Sequence, residues 1–497
     1  MKRLLALLLV VGLITALVAC SSGKKDEKAE KKEEAKANEY TMSDNVKEGS
    51  VIDGVMTDIQ KDDPILKRTT PSWLETCVLY EVNIRQYTEE GTFAAFEKHL
   101  DRLKETGINT LWLMPIHPIS ETKRKGTLGS YYSVTDYKAV NPEFGTIDDF
   151  KHLMTAAHDK GFKVILDWVA NHTGWDNAWI TEHKDWYKTN NKGEIQSPYD
   201  WTDTAQLNYN NFEMRAEMIK CMQYWVEEMG VDGFRCDHAS GVPATFWNAA
   251  TYKLKSVNSE ILMLAEAGGN AVLTQYAFDS CYNDALYGQS KSVKGGVAVS
   301  TIKQSMQPGD IYVEGSFPMN YLDNHDKNSY EGTIVENYGK TYEPLLALSF
   351  LTPGMPLIYT SNEEGYDHMI EFFEKDTVKW DDKPKYAPLM AALSKVKTEN
   401  AALNATNRDF KVLTKDEDYL FSFSRSKGDN TVIYVANLYD KDLSDAAVDL
   451  GADNVKCVLH YDSTTLDTAE TKMSNSDFAK KSYKPYEFYI LTVDAEK

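Results

Sequence analysis

The sequence predicts an α/β protein: a (β/α)8 TIM barrel with a short subdomain inserted after the third strand and an antiparallel β-sandwich at the C-terminus. Three observations predict this fold class. Strand-like and helix-like segments alternate over roughly 320 residues, as in parallel βαβ units. One loop of about forty residues interrupts the alternation, and loops of that length in a compact domain are usually functional. Short alternating apolar and polar runs follow residue 400, as in antiparallel sheets.

The barrel elements follow from hydrophobic periodicity. Apolar runs predict eight strands, over residues 78–84, 108–114, 163–168, 231–236, 261–265, 278–282, 318–322 and 356–359. Apolar residues at three- and four-residue spacing predict helices over residues 92–106, 147–160, 212–229 and 244–257. The loop between residues 171 and 212 carries four tryptophans, Trp175, Trp179, Trp186 and Trp201. These aromatic side chains can supply the core of a small subdomain, and one or two of them can present a flat face to a ligand.

Changes of pattern along the chain predict the domain boundaries. We predict a signal peptide over residues 1–19, a lipidated cysteine and charged tether over 20–70, and the barrel over 71–398. The inserted subdomain is predicted over residues 172–211 and the C-terminal β-sandwich over 399–497. The tether includes KKDEKAEKKEEAK, a segment too highly charged to bury apolar surface.

The N-terminus has the pattern of a bacterial secretory signal. Lys2 and Arg3 precede an apolar run over residues 4–19, which is shorter than the roughly 20 residues of a membrane span. The run ends in LVACSS, which resembles a lipobox and predicts that Cys20 is acylated; an ordinary cleaved signal is the alternative. An acylated Cys20 would anchor an outward-facing protein, extracellular or periplasmic, to a membrane of the cell envelope.

Composition limits the classes of function and of cysteine chemistry. The chain has 54 basic and 75 acidic residues, a formal net charge of −21, which disfavours nucleic-acid binding. Ordinary hydrophobic and charged fractions, 42% and 26%, exclude a mainly disordered or fibrous protein. The cysteines after Cys20 lie in apolar segments without metal-binding spacing, so we predict buried free thiols at Cys77, Cys221, Cys236, Cys281 and Cys457.

Polar side chains cluster just after the predicted strands. They stand at the ends of the third, fourth, fifth and seventh strands or just after them. These residues are Asp167, Asn171, His172, Arg235, Asp237, Glu266, Asn324, His325 and Asp326. Each one alone is compatible with a loop cap or a structural hydrogen bond. At a barrel mouth, however, side chains after different strands converge on one site.

Two of these carboxyl groups are predicted to have opposite pKa shifts. Arg235 and Asp237 are two residues apart and face one side of a strand, so Arg235 should lower the pKa of Asp237 and keep it ionised as a nucleophile. Glu266 follows an apolar run, and desolvation should raise its pKa and keep it protonated as a general acid. Glycosidic bond cleavage requires such a pair.

The segments DWVANH, GFRCD, AEA and NHD resemble, in order and spacing, the four conserved regions of glycoside hydrolase family 13, the α-amylase family. The resemblance is close over about residues 75–400. It implies that Asp237 is the nucleophile, that Glu266 is the acid and base, and that Asp326 stabilises the distorted sugar. It also implies retention of anomeric configuration, with the two working carboxyl groups about 5–5.5 Å apart.

The same resemblance implies four further substrate-site residues. Tyr132 would stack on the sugar in the cleaved subsite, His172 and His325 would hydrogen-bond it, and Arg235 would orient the nucleophile. Neutral histidines bonded to the backbone and a packed core tyrosine are the structural alternatives.

Several positions depart from the family pattern. Gln206 stands where many relatives have a carboxylate, and Ser240 and Gly241 replace a Lys-His pair that contributes to calcium binding. Asn171 remains as a calcium ligand, so calcium is possible but no cofactor is expected to be required. His238 follows the nucleophile in place of the usual small or β-branched residue, which leaves α-1,4 against α-1,6 specificity open.

These inferences predict a membrane-tethered, retaining hydrolase of mainly α-1,4 bonds in starch-like glucans or malto-oligosaccharides. A glucanotransferase or α-1,6-glucosidase of the same family is the first alternative. A non-catalytic glycan-binding lipoprotein is the second. Endo or exo action, the leaflet that holds the lipid and the oligomeric state are not predicted.

Overall fold

The computed structural model describes residues 69–293, 302–303, 306, 309–414 and 419–493. The first ten strands are β1 (Leu79–Val82), β2 (Thr110–Leu113), β3 (Lys163–Trp168), β4 (His172–Gly174), β5 (Thr204–Gln206), β6 (Gly233–Cys236), β7 (Leu262–Gly268), β8 (Ser280–Tyr282), β9 (Phe317–Tyr321) and β10 (Met355–Tyr359). Eight of them close into a parallel barrel in the order β1-β10-β9-β8-β7-β6-β3-β2. The predicted (β/α)8 barrel is confirmed. Cys20 and the predicted signal peptide lie outside the described residues.

Helices connect the barrel strands. In the described residues they are α1 (Ile84–Tyr87), α2 (Phe93–Glu97), α3 (Leu100–Glu105), α4 (Ile147–Asp159), α5 (Trp179–Glu182), α6 (Phe212–Glu227), α7 (Ala244–Val257), α8 (Ala271–Tyr276), α9 (Asp284–Val293), α10 (His325–Glu331), α11 (Ile334–Tyr338), α12 (Tyr342–Leu351) and α13 (Ala387–Glu399). The helix predicted over 92–106 was wrong as a single element: it divides into α2 and α3 at Lys98 and His99, and the His99 ring packs against Tyr87.

Helix α4 shows how the sequence directs one of these connections. The Thr146 side chain accepts a hydrogen bond from the Asp149 backbone, and the Asp149 side chain accepts one from the Thr146 backbone, which forms a capping box. Apolar residues at helical spacing, Phe150, Leu153 and Ala157, are buried against the barrel. The helix therefore begins at a polar cap and is held by one apolar face.

The barrel interior is apolar at one end and charged at the other. Leu79 on β1 and Ile165 on β3 belong to an apolar cluster inside the barrel. Alternate residues of a strand face the same side, so Glu81 and Asp167, two residues further on, also point inward, at the carboxyl ends of their strands. Asp167 is paired in register with Arg235 on β6. The strand period therefore places buried charges at the end where the site lies.

The long loop folds into a small subdomain above the barrel. β4 and β5 pair antiparallel, with His172 opposite Gln206. Trp179 and Trp186 pack edge to face with ring centroids 5.1 Å apart, and Trp175 donates from Nε1 to the Thr202 carbonyl at 3.0 Å. These three tryptophans therefore build the subdomain itself.

The C-terminal part is an antiparallel β domain, as predicted. Its strands are β11 (Lys411–Val412), β12 (Leu420–Lys427), β13 (Asn430–Asn437), β14 (Leu443–Ala446), β15 (Asn454–Tyr461), β16 (Leu466–Asp467), β17 (Thr471–Ser474), β18 (Lys481–Tyr483) and β19 (Phe488–Val493). β14 and β18 form a two-stranded ribbon, and the other strands form one sheet. One face of the sheet meets the barrel, where the Tyr434 hydroxyl donates to the Pro344 carbonyl at 2.9 Å. The other face packs with the ribbon through Ile433, Leu491 and Tyr483.

The cysteine prediction is confirmed within the described part of the chain. Cys77, Cys221, Cys236, Cys281 and Cys457 are all buried, and Cys77, Cys221, Cys236 and Cys457 are free thiols. Among the same described residues, no helix is long and apolar enough to cross a membrane.

Candidate active site

The structure brings the three predicted carboxylates together at the carboxyl end of the barrel. Asp237 follows β6 directly, Glu266 lies on β7, and Asp326 lies in the first turn of α10, after β9. All three line one cavity of about 330 Å³. Its wall also includes Tyr132 and His172. The cavity thus gathers side chains from different strands around a space of small-ligand size.

Arg235 connects the charged groups of the site. Its fully buried guanidinium donates from one terminal nitrogen to Asp167 at 2.9 Å and to Asp237 at 3.2 Å. The other terminal nitrogen lies 3.0 Å from Oε1 of Glu266. Nε donates to the Tyr282 hydroxyl at 3.0 Å. A single planar cation therefore orders three carboxylates, which the predicted role of Arg235 requires.

The predicted pKa shifts of Asp237 and Glu266 were wrong in direction. Burial and the neighbouring Glu266 carboxylate raise the pKa of Asp237 well above its usual value, although Arg235 opposes them. Burial alone would raise the pKa of Glu266, but Arg235 and an N–H bond from the His238 backbone, at 2.6 Å, lower it. Arg235 contacts both carboxyl groups, and the extra backbone donor decides between them. In the free site Asp237 therefore binds a proton more readily than Glu266 does.

Asp167 is a positioning residue, a role that the sequence did not predict for it. Besides the Arg235 contact, it accepts hydrogen bonds from Nε1 of Trp112 and from the Tyr132 hydroxyl, both at 3.1 Å. These donors compensate for its complete burial. Its position at a strand end was the available sequence signal, but its partners come from two other strands and a loop.

His325 lies between carboxylates and is held as a cation. Its Nδ1 is 2.5 Å from Oε1 of Glu81, and its Nε2 is 2.8 Å from the Tyr132 hydroxyl and 3.5 Å from Asp326. Burial alone would lower the pKa of His325, but Asp326 and Glu81 raise it to about 9. Sequence reasoning missed Glu81, whose only signal is a lone acid inside the apolar run of β1.

His172 has the opposite electrostatic setting. Burial and the neighbouring His238 lower the pKa of His172 to about 3, so its imidazole is neutral. Its ring lines the cavity and meets Trp201 edge to face at 5.5 Å. A neutral imidazole can donate one hydrogen bond and accept another, which suits a sugar hydroxyl.

Among Tyr132 and the four loop tryptophans, Tyr132 and Trp201 line the cavity. Tyr132 is nearly buried, with its ring stacked between His325 at 5.4 Å and Phe372 at 6.2 Å. Trp201 alone of the four loop tryptophans lines the cavity. The predicted stacking of Tyr132 on a sugar stays a prediction.

The residues around Asn171 do not fit a calcium ion. The Asn171 amide nitrogen lies 3.3 Å from Nδ1 of His172, and Gln206 on the neighbouring strand is uncharged. Across the residues for which the structure gives positions, no group of three or more His, Cys, Asp or Glu side chains could hold a metal ion. Calcium prefers several oxygen ligands with charge, and this donor set does not supply them.

We expect chelation to leave the protein unchanged. Dialysis against EDTA should move the melting temperature by less than about 2 °C, because a saturating structural ion would contribute several degrees. Differential scanning fluorimetry and initial rates, each with and without added CaCl2, measure this. A calcium-dependent rise of several degrees would restore Asn171 as a ligand.

The family model "Alpha amylase, catalytic domain" matches residues 67–205 and 186–418. The chain is similar to "Alpha-amylase MalA" of Haloarcula japonica, 26% identical over 389 residues, which cover 74% of this chain and 56% of that protein. The chain thus spans little more than half of that relative.

Two solved structures share the architecture. The crystal structure of an alpha-amylase from Lactobacillus plantarum is 28% identical, with a TM-score of 0.73, and covers 85% of this chain and 99% of its own. The crystal structure of the noncanonic maltogenic alpha-amylase AmyB from Thermotoga neapolitana is 28% identical, with a TM-score of 0.74. The match covers 85% of this chain and 100% of that chain.

Proposed function

Because this chain belongs to the α-amylase family, glycoside hydrolase family 13, we propose that it hydrolyses α-1,4-glucosidic bonds in starch-like glucans or malto-oligosaccharides with retention of configuration. One observation carries the proposal: Arg235 holds Asp237 and Glu266 on its two terminal nitrogens beside a sugar-sized cavity. Two carboxyl groups on one cavity can divide the roles of nucleophile and acid.

The proposed reaction has two displacements. Asp237 attacks the anomeric carbon and forms a glycosyl ester, while the glycosidic bond breaks and Glu266 gives its proton to the leaving oxygen. Water then attacks the same carbon, gives its proton to Glu266 and releases Asp237 as a carboxylate. Asp326, more exposed than the other two at 43% of its side chain, is available to sugar hydroxyls.

This reaction needs a proton on Glu266 and none on Asp237, whereas in the free site the pKa of Asp237 is raised and that of Glu266 is lowered. We propose that substrate binding reverses these two shifts. A glycosidic oxygen against Glu266 excludes water from a side chain that is now 27% exposed, and desolvation favours the neutral acid. The positive charge that develops on the sugar favours ionised Asp237.

A time course of products from maltotetraose tests the function. We expect shorter malto-oligosaccharides that first appear as the α-anomer in proton NMR, and slow or no cleavage of isomaltose. Products longer than the substrate would favour the glucanotransferase alternative. Faster cleavage of isomaltose than of maltose would favour the α-1,6-glucosidase alternative. Binding of maltotetraose without turnover would favour a glycan-binding protein.

Glu266→Gln should discriminate between leaving groups. Turnover of maltotetraose is expected to fall by about 10²–10⁴, because a sugar alkoxide leaves poorly without a proton. Fluoride leaves with little need for a proton, so turnover of α-glucosyl fluoride should fall far less. Parallel kcat/KM measurements on both substrates provide the check, and equal losses would count against the acid assignment.

We propose that the protein is a lipoprotein of the cell envelope, anchored through acylated Cys20 and facing outward, with the charged segment 24–36 as the tether. Cys20→Ser is expected to move the protein from the membrane fraction to the soluble fraction and to abolish palmitate labelling. Cys457→Ser, at a buried thiol of the C-terminal domain, is the matched control and should remain in the membrane fraction. An unchanged distribution of Cys20→Ser would contradict the anchor.

A further inference from the structure

Tyr199 is an exposed aromatic residue beside the active site. Its relative exposure of 71% exceeds that of the other large apolar side chains in the described ranges. Its backbone has a φ of 49°, a left-handed conformation that bulky residues rarely adopt. The ring centroid lies 5.0 Å from that of Trp201, which lines the cavity. An unfavourable backbone thus holds a large apolar ring in solvent at the cavity rim.

His238 joins Tyr199 to the active site. The Tyr199 hydroxyl lies 3.1 Å from Nε2 of His238, and the two rings meet edge to face at 5.5 Å. His238 also has a left-handed backbone, with a φ of 42°. Its ring lies over Gly241, where an added Cβ would come within 2.2 Å of Cδ2 of His238. The Gly241 departure from the family pattern therefore provides space for the His238 ring.

The position of these rings relative to Glu266 defines which sugar they would meet. The His238 backbone N–H donates to Oε2 of Glu266 at 2.6 Å. The proposed acid must contact the leaving oxygen, so groups next to Glu266 lie nearest to the leaving sugar. Tyr199 contacts the His238 ring, so it is separated from Glu266 by one residue.

We propose that Tyr199, His238 and Trp201 form an aromatic platform for the sugar on the leaving-group side of the scissile bond. This inference rests on the proposed function and adds specificity-determining residues to it. Phenol and indole faces pack against the apolar faces of pyranose rings, and a platform already held in place loses little entropy on binding. The same platform receives an incoming acceptor sugar in the second displacement.

The experiment compares a substrate that has a leaving sugar with one that has none. Initial rates on maltotriose and α-glucosyl fluoride are measured for the wild type, Tyr199→Ala and Tyr199→Phe. Tyr439→Ala is the control, since Tyr439 lies in the C-terminal domain and stacks on Tyr419 at 4.1 Å. We expect Tyr199→Ala to lower the ratio of kcat/KM on maltotriose to that on the fluoride by about tenfold. Tyr199→Phe, which keeps the ring, should retain most of the ratio.

The outcomes separate this inference from the proposed function. An unchanged ratio in Tyr199→Ala, or a Tyr199→Phe ratio as low as that of Tyr199→Ala, overturns the stacking platform. Turnover of the fluoride shows that each variant is folded. A wild type that cleaves neither substrate refutes the proposed function instead.

Discussion

Asp237→Asn is expected to lower kcat/KM on maltotetraose by a factor of about 10⁴ or more, because an amide cannot form the glycosyl ester. The substitution preserves shape, and the site keeps its other polar groups, so substrate should still bind. Asp376→Asn is the matched control. Asp376 accepts a hydrogen bond from His368 at 2.7 Å on the surface and does not line the cavity.

Chemical rescue separates a nucleophile from a supporting carboxylate. In Asp237→Gly, azide can enter the vacated space and attack the anomeric carbon of α-glucosyl fluoride, which releases fluoride. One displacement inverts configuration, so the expected product is β-glucosyl azide. Nuclear magnetic resonance identifies the anomer. An α-azide, or wild-type turnover by Asp237→Asn, would exclude Asp237 as the nucleophile.

Arg235→Ala is expected to impair both activity and stability. Removing one buried electrostatic group from a site costs about 10²–10³ in kcat. Loss of the cation that contacts Asp167, Asp237 and Glu266 together leaves buried charge uncompensated, at a cost of about 3–5 kcal/mol of folding stability. Initial rates measure the loss of activity. Denaturant unfolding, followed by the fluorescence of buried tryptophans such as Trp112 and Trp168, measures the loss of stability.

The pH profile distinguishes the electrostatic role of Arg235 from a structural one. Arg235 lowers the pKa of Asp237, whose ionised form is the attacking group. Its removal therefore raises that pKa, and the acidic limb of kcat/KM should move to higher pH. Arg235→Lys keeps the charge but cannot contact three carboxylates at once, so we expect intermediate stability and low activity. Normal turnover of Arg235→Ala, with the acidic limb of kcat/KM at the wild-type pH, would rule out the electrostatic role.

Much of the barrel was predictable because local sequence encodes it. Val164, Ile165 and Leu166 make the centre of β3 apolar on both faces, as is typical of a buried parallel strand, and the predicted bounds, 163–168, match β3. The break between α2 and α3 was not predictable, because the apolar spacing continues across it. The packing of His99 on Tyr87 depends on the preceding segment.

The active site was predictable only in part. Asp237, Glu266 and Asp326 follow apolar runs, which marks them in the sequence, and the structure places all three on one cavity. Glu81 lies inside such a run, and its partner His325 is more than two hundred residues away. Tyr199 lies in a loop without periodicity, so its contact with His238 has no sequence signal.

The sequence by itself determined which side chains stand at the carboxyl ends of the barrel strands, because strand period and apolar runs are local properties of the chain. Only the tertiary structure decided which carboxyl group has its pKa raised in the free site and which has it lowered. That choice depends on burial, on Arg235 and on one N–H group of His238, and these meet Asp237 and Glu266 only when the barrel closes. A pKa is set by distances in space, and spacing along the chain does not specify them.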